Sequence, residues 1–284
     1  MNHTATNRNR EKLNLNAKGR IFVTLAVMVL LSLLINHMMT WFDTYDGLGE
    51  REVQTGNPYN PEAFFLDEKG RICYEDETWT SYIGIDVSSY QKEIDWKAVA
   101  ADGVEFAMIR LGYRGYGSGL LNLDPCFEQN VKGARDAGLD VGVYFFSQAL
   151  TTEEAMDEAR FAVRKLRGKR IDGPVAFDME YIEGANRINY LTVEEKTAIA
   201  DAFCQFIEKN GYEAVIYGNP TWLTEDVDLT LLTHHEIWLA HYIGMTEWPF
   251  AYRMWQYTDR GSVAGIEGSV DLNIRMKEKK FLAD

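Results

Sequence analysis

From residue 82 onward, apolar segments of strand length alternate with segments that have helical spacing and helix-capping residues. Strands that alternate with helices form a parallel sheet, because each helix carries the chain back to the edge where the next strand begins. No helix is predicted after the fifth strand, and the last two of the three remaining strands are joined by a short connection. Eight strands with about five helices therefore predict an α/β fold, a closed but incomplete TIM-like barrel.

The predicted elements follow from apolar runs and from start signals such as Pro at the first helical position or a Thr-initiated capping box. The predicted strands are 82–87, 105–111, 139–146, 174–178, 213–217, 237–241, 253–256 and 269–272. The predicted helices include 96–101, 125–137 with Asp124 as its N-cap, 152–167, and 192–210.

The run Pro174–Glu180 places two carboxylates at the end of one predicted strand. A strand's period of two sends Asp178 and Glu180 to one face and Met179 to the other. Burying two like charges inside a sheet is very costly, so the pair is expected where the strand leaves the core and meets a cleft. A solvated or salt-bridged strand end is the competing interpretation of this pair alone.

Two further predicted strands end in an acid, the first in Asp86 and the last in Asp271. A single such Asp is more often a turn or capping residue. If the barrel closes, however, both gather with Asp178 and Glu180 at its C-terminal mouth. Glycoside hydrolysis needs such a cluster, because one acid gives a proton to the leaving oxygen while another stays ionised to stabilise positive charge at the sugar carbon.

The N-terminal region predicts a membrane anchor. Residues 1–20 contain five Lys or Arg against one Glu, and residues 21–39 are apolar apart from four polar side chains. Nineteen helical residues rise about 28 Å, close to the thickness of a bilayer's hydrocarbon core. The positive-inside rule then makes 1–20 a cytoplasmic tail and places the body outside. A cleaved signal peptide and a buried core helix are the competing interpretations, disfavoured by the absence of a small-residue cleavage site and of a polar stripe.

Residues 40–80 are predicted to form an extracellular stem, with a short hairpin at 64–74 that turns at Lys69-Gly70 and packs at the edge of the domain. The catalytic domain is predicted to span 81–284. The whole chain carries a net charge of −14 despite its basic head, which argues against nucleic acid as a partner.

No cofactor or metal is predicted. His234, His235 and His241 lack a His-Glu-x-x-His pattern and a partnering Cys pair, so surface or core positions are expected for them. Cys73, Cys126 and Cys204 are an odd number, which allows at most one disulfide.

Several stretches of the chain, in the same order as in the family, resemble family 25 glycoside hydrolases, the Chalaropsis-type lysozymes or N-acetylmuramidases. The similar stretches are Gly84–Gln91, Phe106–Arg110, Asp124–Asn130, Ala137–Tyr144, Asp178–Glu180, Trp238–Ala240, Trp255–Tyr257 and Val270–Asn273. The resemblance implies a (β/α)5β3 barrel that cleaves the β-1,4 bond between N-acetylmuramic acid and N-acetylglucosamine in peptidoglycan. It also implies Glu180 as proton donor, with Asp178, Asp86 and Asp271 as acidic companions.

Aromatic residues at or near predicted strand ends offer faces that stack on sugars, although core packing is the more common role for any one of them. The candidates for substrate binding are Tyr144, Tyr217, Trp238, Trp255 and Gln256. Many family members follow the third-strand Tyr with His-Phe, whereas this chain has Phe145-Phe146, a departure that places one subsite contact in question.

These features predict a muramidase on a bacterial cell membrane, with a single span, a cytoplasmic N-terminus and an outward-facing catalytic domain. Asp178 either stabilises the intermediate or orients the substrate's 2-acetamido group, and the spacing does not choose between retaining and inverting chemistry. Alternatives are an inactive wall-binding or scaffold module on a lysozyme fold, and a chitinase-like enzyme acting on poly-N-acetylglucosamine. The intact acid cluster favours an enzyme, because a pure binding role gives no reason to keep it.

Overall fold

A computed structural model describes residues 56–184 and 187–279 of the chain. The strands are β1 (Phe64–Leu66), β2 (Ile72–Tyr74), β3 (Trp79–Val87), β4 (Phe106–Arg114), β5 (Leu121–Leu123), β6 (Asp140–Ser147), β7 (Val175–Met179), β8 (Ala214–Gly218), β9 (Glu236–Ala240), β10 (Met254–Gly261) and β11 (Val270–Glu278). The α-helices are α1 (Trp96–Ala101), α2 (Phe127–Asp136), α3 (Thr152–Leu166) and α4 (Val193–Lys209).

Pairing between the first and last long strands closes the main sheet into a barrel. The strands follow the order β3, β11, β10, β9, β8, β7, β6, β4, and β3 returns to pair with β4. The α/β barrel of eight strands is therefore confirmed. The pairs from β3 through β4 and β6 to β10 are parallel, whereas β11 runs antiparallel to both of its neighbours, β10 and β3. The short strand β5, absent from the sequence prediction, pairs antiparallel with the end of β4.

The helices begin where side chains satisfy their first free N–H groups. Asp95 caps α1, Thr151 caps α3, and Thr192 forms a capping box with Glu195 at the start of α4. After β8 the chain forms a five-residue π-helical segment, Trp222–Asp226, where a regular barrel would have a fifth helix.

The predicted start of α2 was wrong by two residues. Asp124 does not cap the helix: its carboxylate accepts hydrogen bonds from the Cys126 N–H at 2.8 Å and from Arg110 Nε at 2.8 Å. The Asp124 side chain therefore stabilises a turn ahead of the helix, which starts at Phe127.

Alternation along the strands divides the core into two layers. Val175, Phe177 and Met179 of β7 pack outward against the helices, in a large cluster that includes Phe203 of α4. The smaller cluster fills the barrel interior and consists of Phe106, Met108, Ala176, Val215, Tyr217, Trp238, Ala240 and Met254, with Tyr82 and Tyr144 packed against it.

Close packing at the end of the barrel where the parallel strands begin explains why residue 84 of β3 is a glycine. A Cβ atom at this position would lie 2.2 Å from the Phe106 ring, so only glycine allows that ring to fill the interior. Arg275 of β11 lies over the same ring, with its guanidinium carbon 5.0 Å from the centroid. Side chains thus fill the end where the parallel strands begin, and the open space lies at the end where they finish.

The predicted hairpin is confirmed, with β1 and β2 paired antiparallel and Gly70 at a positive φ in the turn. The described part of the predicted stem, however, packs on the barrel. Tyr59 is buried and its hydroxyl donates a 2.7 Å hydrogen bond to the carbonyl of Tyr252. Tyr74 of the hairpin is buried as well. The packed region therefore starts well before residue 81, because these aromatic side chains bury against strands from the far end of the chain.

Within the two described ranges, no helix has the length and apolar character needed to cross a membrane. The predicted cytoplasmic tail, the predicted anchor at 21–39 and residues 40–55 of the predicted stem lie outside those ranges. Cys73, Cys126 and Cys204 are free thiols.

Candidate active site

A cavity of about 810 Å³ opens at the C-terminal ends of the parallel strands. All four acids predicted from the sequence line it. Its lining includes Asp86, Tyr90, Arg110, Tyr113, Tyr116, Tyr144, Phe146, Asp178, Glu180, Tyr217, Trp238, Tyr242, Gln256 and Asp271. In a parallel barrel this is the end where loops and strand termini bring side chains from many strands together.

Strand β7 delivers two of the acids as its alternation predicts. Asp178 is on the interior face and buried, Met179 packs outward, and Glu180 follows the strand and is half-buried at the cavity surface. Gln148 Nε2 donates a 3.0 Å hydrogen bond to the main-chain carbonyl of Glu180, which fixes the chain as it leaves the strand.

Asp86 and Asp271 lie directly opposite each other on the paired strands β3 and β11. The expectation that Asp271 ends a strand was wrong, because it is the second residue of β11. Its side chain still reaches the mouth because β11 runs antiparallel, which places its N-terminal end beside the C-terminal end of β3. Two amides hold Asp86: Oδ2 accepts from Gln256 Nε2 at 2.7 Å and from Asn273 Nδ2 at 2.8 Å.

Burial raises the pKa values of all four carboxyl groups, and the charges of neighbouring acids raise those of Asp178, Glu180 and Asp271 further. For Asp271, burial and the charge of Asp86 raise the pKa to about 9. Burial also raises the pKa of Asp86, although the hydrogen bonds from Asn273 and Gln256 oppose the shift. The amide donors favour the ionised form of Asp86, so Asp271 is the member of this pair that keeps its proton to higher pH.

The acids from β7 are shifted in the same direction. Burial, followed by the charges of Glu180 and Asp86, raises the pKa of Asp178 well above its ordinary value. Burial and the charge of Asp86 raise the pKa of Glu180, while a hydrogen bond with Tyr217 opposes the shift. None of the four acids forms a salt bridge within the described residues. The environment therefore favours protonated carboxyl groups at pH values where isolated ones are ionised.

One oxygen of Asp178 has no partner. Asp178 Oδ1 is buried and has no hydrogen-bond donor among the described residues. An unpaired buried oxygen costs about 1–3 kcal/mol, so its presence at a cavity wall indicates a position kept for a donor that arrives with a ligand.

The predicted polar contact Gln256 connects acids to aromatic residues. Its Oε1 accepts hydrogen bonds from the hydroxyls of Tyr217 at 2.9 Å and Tyr242 at 2.8 Å, while its Nε2 donates to Asp86. The amide is buried and all three of these bonds lie within the protein. Gln256 therefore lines the cavity mainly as a positioning residue for Asp86.

Three of the four predicted aromatic contacts, Tyr144, Tyr217 and Trp238, line the cavity. Trp255 does not, and its prediction as a sugar contact was wrong. It is fully buried on the outer side of β10, where its Nε1 donates a 2.8 Å hydrogen bond to the His241 carbonyl and its ring packs edge-on against Phe64. Since neighbours on a strand point to opposite sides, Gln256 takes the interior position and Trp255 cannot.

The same alternation shows which side of the barrel wall is affected by the departure from the family pattern in β6, the third predicted strand. Phe145, at the position where many family members have His, is fully buried in the outer layer, while Tyr144 and Phe146 face the cavity. The departure from the family pattern therefore changes packing behind the barrel wall.

The sequence prediction missed Arg110, a cation in the wall of the cavity. Its Nε donates to Asp124 Oδ2 at 2.8 Å, and its guanidinium carbon lies 5.1 Å and 5.5 Å from the ring centroids of Tyr90 and Tyr113. Tyr90 is exposed and offers a free aromatic face at the rim. The strand-end argument that found the acids applies equally to Arg110, but a search restricted to carboxylates passed over it.

A closed α/β barrel with a carboxyl-lined mouth is the arrangement expected of a glycoside hydrolase. The particular family follows from sequence: residues 85–266 match Glycosyl hydrolases family 25, and the chain belongs to that family.

Comparisons with individual proteins agree with this assignment. The chain is 31% identical over 205 residues to the uncharacterized protein YegX of Escherichia coli O157:H7, covering 67% of this chain and 68% of YegX. It is 27% identical over 191 residues to an autolytic lysozyme of Clostridium acetobutylicum, covering 67% of this chain and 54% of that protein.

Solved structures show the same fold. The modular autolysin LytC of Streptococcus pneumoniae, in complex with a synthetic peptidoglycan ligand, superposes with a TM-score of 0.63 at 23% identity, covering 74% of this chain and 49% of LytC. The chain thus spans about half the length of LytC and of the autolytic lysozyme.

Proposed function

We propose that this chain is a peptidoglycan hydrolase that cleaves the β-1,4 bond between N-acetylmuramic acid and N-acetylglucosamine. The observation that carries the proposal is the pair Asp178 and Glu180, which lines an open cavity with raised pKa values and without a salt bridge. Substrate preference is supported by the relatives, since one is described as an autolytic lysozyme and another binds a synthetic peptidoglycan ligand.

In this mechanism Glu180 is the general acid. Its raised pKa keeps the carboxyl protonated to higher pH than that of an ordinary glutamate, so that it donates a proton to the glycosidic oxygen as the bond from that oxygen to the anomeric carbon breaks. The leaving sugar departs as an alcohol. Activity is expected to fall as the pH rises through the pKa of Glu180, because the ionised form has no proton to give.

Asp178 is proposed to orient the 2-acetamido group of the sugar. The unpaired Oδ1 accepts the amide N–H, which directs the acetamido oxygen at the anomeric carbon to form a cyclic oxazolinium. Glu180, now ionised, takes a proton from water as the water oxygen attacks the same carbon and the ring opens. Two displacements retain the anomeric configuration, so proton NMR that found the inverted anomer in early products would exclude this route.

The proposed location is a bacterial cell membrane, with residues 21–39 as the anchor, residues 1–20 in the cytoplasm and the barrel outside. The support is the length and apolar character of 21–39 and the basic residues before it. Protease treatment of intact spheroplasts tests this topology. Digestion of the barrel without lysis is expected, and protection of the barrel would contradict it.

The decisive experiment is digestion of purified peptidoglycan by the full chain in mild detergent, with mass spectrometry of the fragments after borohydride reduction. Wild-type protein and Glu183→Gln, which alters an exposed acid three residues away, are expected to release fragments ending in reduced N-acetylmuramic acid. Glu180→Gln is expected to release none. Binding to the wall without release by the wild type would support the alternative of a non-catalytic module, and faster turnover of chitin oligomers would support a chitinase-like enzyme.

A further inference from the structure

Two histidines and an aspartate converge outside the catalytic cavity. Asp201 lies on α4, and His234 and His235 lie in the segment that leads into β9. Asp201 Oδ1 is 2.9 Å from His234 Nε2 and 2.9 Å from His235 Nε2. One ligand atom from each of the three residues lies within 4.8 Å of the others. Sequence spacing does not reveal this group, because Asp201 is more than thirty residues from both histidines.

A second set of contacts orients these three side chains. Gln205, one turn further along α4, donates from Nε2 to Asp201 Oδ2 at 2.8 Å and leaves Oδ1 facing the histidines. Glu208, two turns from Asp201 on the same helix, places Oε1 3.1 Å from His235 Nδ1. A carboxylate on the far nitrogen of a histidine fixes the tautomer whose Nε2 lone pair is available, the usual arrangement behind a metal-binding imidazole.

Two imidazole nitrogens and one carboxylate oxygen are a typical ligand set for Zn²⁺ and similar divalent transition metals. Bonds of about 2.0–2.1 Å in a tetrahedral arrangement separate ligand atoms by about 3.3 Å. The two nitrogen-to-oxygen distances of 2.9 Å therefore need to widen by only a few tenths of an ångström. The side chains of Asp201 and His234 are 17% and 16% exposed, so an ion can reach the group from solvent.

We propose that Asp201, His234 and His235 bind a divalent transition-metal ion such as Zn²⁺, with Glu208 and Gln205 as the groups that orient the ligands. Water completes the coordination. The ion links the middle of α4 to the segment preceding β9, at the end of that strand opposite the catalytic mouth. Its role is to hold helix and strand together, and it takes no part in glycosidic bond cleavage, so the inference stands independently of the proposed function.

The alternative is a metal-free cluster in which His235 is an imidazolium that donates from both nitrogens to Asp201 and Glu208. The two arrangements differ in a measurable way. A metal site binds one ion per chain with high affinity and gives Co²⁺ the intense visible absorption of tetrahedral coordination, whereas an ion-pair cluster does neither.

The test is calorimetric titration of untagged, EDTA-treated full chain in mild detergent with ZnCl₂ at pH 7.5, with visible spectroscopy of the Co²⁺ form. We expect one saturable site per chain and a melting temperature that rises with Zn²⁺. His234→Gln and Asp201→Asn are expected to weaken binding by at least a hundredfold. Glu208→Gln should weaken it about 10- to 100-fold, because it removes only the orienting group.

His241→Gln is the matched control, since His241 lies outside the group and hydrogen-bonds Thr246 instead. It is expected to bind Zn²⁺ as the wild type does. The proposal is overturned if the wild type shows no stoichiometric binding, or if binding persists unchanged in His234→Gln. Circular dichroism of each variant without metal, together with peptidoglycan hydrolysis, separates loss of the site from loss of the fold.

Discussion

Carboxylates in two parts of this protein have opposite electrostatic surroundings. On the outer wall, Asp102 accepts hydrogen bonds from Lys69 Nζ at 2.6 Å and from the guanidinium of Arg71. Although burial opposes the shift, the hydrogen bonds from Lys69 and Ala264 and the charge of Arg71 lower the pKa of Asp102. At the mouth, Asp86 is hydrogen-bonded by the neutral amides of Gln256 and Asn273 and by its neighbour Asp271, and Asp178 Oδ1 has no donor among the described residues.

This difference in surroundings separates acids that stabilise the fold from acids suited to proton transfer. A carboxylate paired with cations stays ionised and ties elements together, here the β1–β2 hairpin to the end of α1. Carboxyl groups crowded together without an ion pair hold protons at higher pH, which suits proton transfer but costs free energy of folding. Substitutions in the two regions should therefore have opposite consequences for activity and stability.

The largest expected effect is at the mouth. Asp178→Asn is expected to lower the rate of peptidoglycan hydrolysis by about 10²–10⁴-fold, the range for loss of a group that acts on the reacting centre. Stability to urea should be unchanged or higher, because an amide replaces a buried carboxyl whose Oδ1 has no donor among the described residues. Turbidity loss of wall suspensions and urea unfolding measure the two effects. Lower stability together with intact activity would place Asp178 among the acids that stabilise the fold.

The outer wall should respond in the reverse way. Asp102→Ala leaves the buried Arg71 guanidinium without its carboxylate and is expected to reduce the free energy of unfolding by about 3 kcal/mol. Activity of the folded fraction should stay at the wild-type level. Lys69→Ala is the matched control, since Lys69 is 48% exposed and its ion pair is expected to contribute no more than about 1 kcal/mol. Equal losses in both variants, measured by urea unfolding, would contradict this account.

A smaller effect concerns how the stability of the fold depends on pH. The folded state keeps the Asp271 proton to a pKa of about 9, whereas the unfolded chain releases it near the ordinary value of 3.8. Between these values the folded state binds more protons, so stability falls as pH rises. Asp271→Asn is expected to reduce this dependence of stability on pH. The difference in free energy of unfolding, variant minus wild type, should be more than about 1 kcal/mol larger at pH 8 than at pH 5, since one pKa unit corresponds to about 1.4 kcal/mol. Urea unfolding at both pH values measures it, and parallel slopes would contradict it.

The smallest effect tests the position of Trp255 behind the wall. Trp255→Phe removes the hydrogen bond to the His241 carbonyl and should cost about 1 kcal/mol of stability while activity changes by less than about twofold. Trp238→Phe, at a cavity-lining position with its own hydrogen bond to Asn273, is the comparison variant and is expected to lower activity more. Hydrolysis rates beside thermal unfolding decide this, and a larger activity loss in Trp255→Phe would reverse the assignment.

The sequence allowed the barrel and the acids to be predicted because strand period and strand ends are local signals. Alternation around Met179 gave the face of Asp178 and Glu180 correctly. The residues of β11 do not themselves indicate the direction of the strand. That direction is indicated by the connection at 262–269, which is too short for the crossover that a parallel pair requires. Trp255 was misplaced because its face depends on the register of β10, and the Asp201 group was missed because it forms only after α4 packs beside β9.

The pairing of Asp86 with Asp271 also has a consequence for biosynthesis. One acid lies near the start of the barrel sequence and the other near its end, and the strands that carry them close the barrel. A ribosome-bound chain that has not yet released β11 lacks Asp271, Asn273 and the strand that seals the sheet. Under the proposed function, a partly translated chain or a fragment truncated before residue 270 is therefore expected to lack wall hydrolysis.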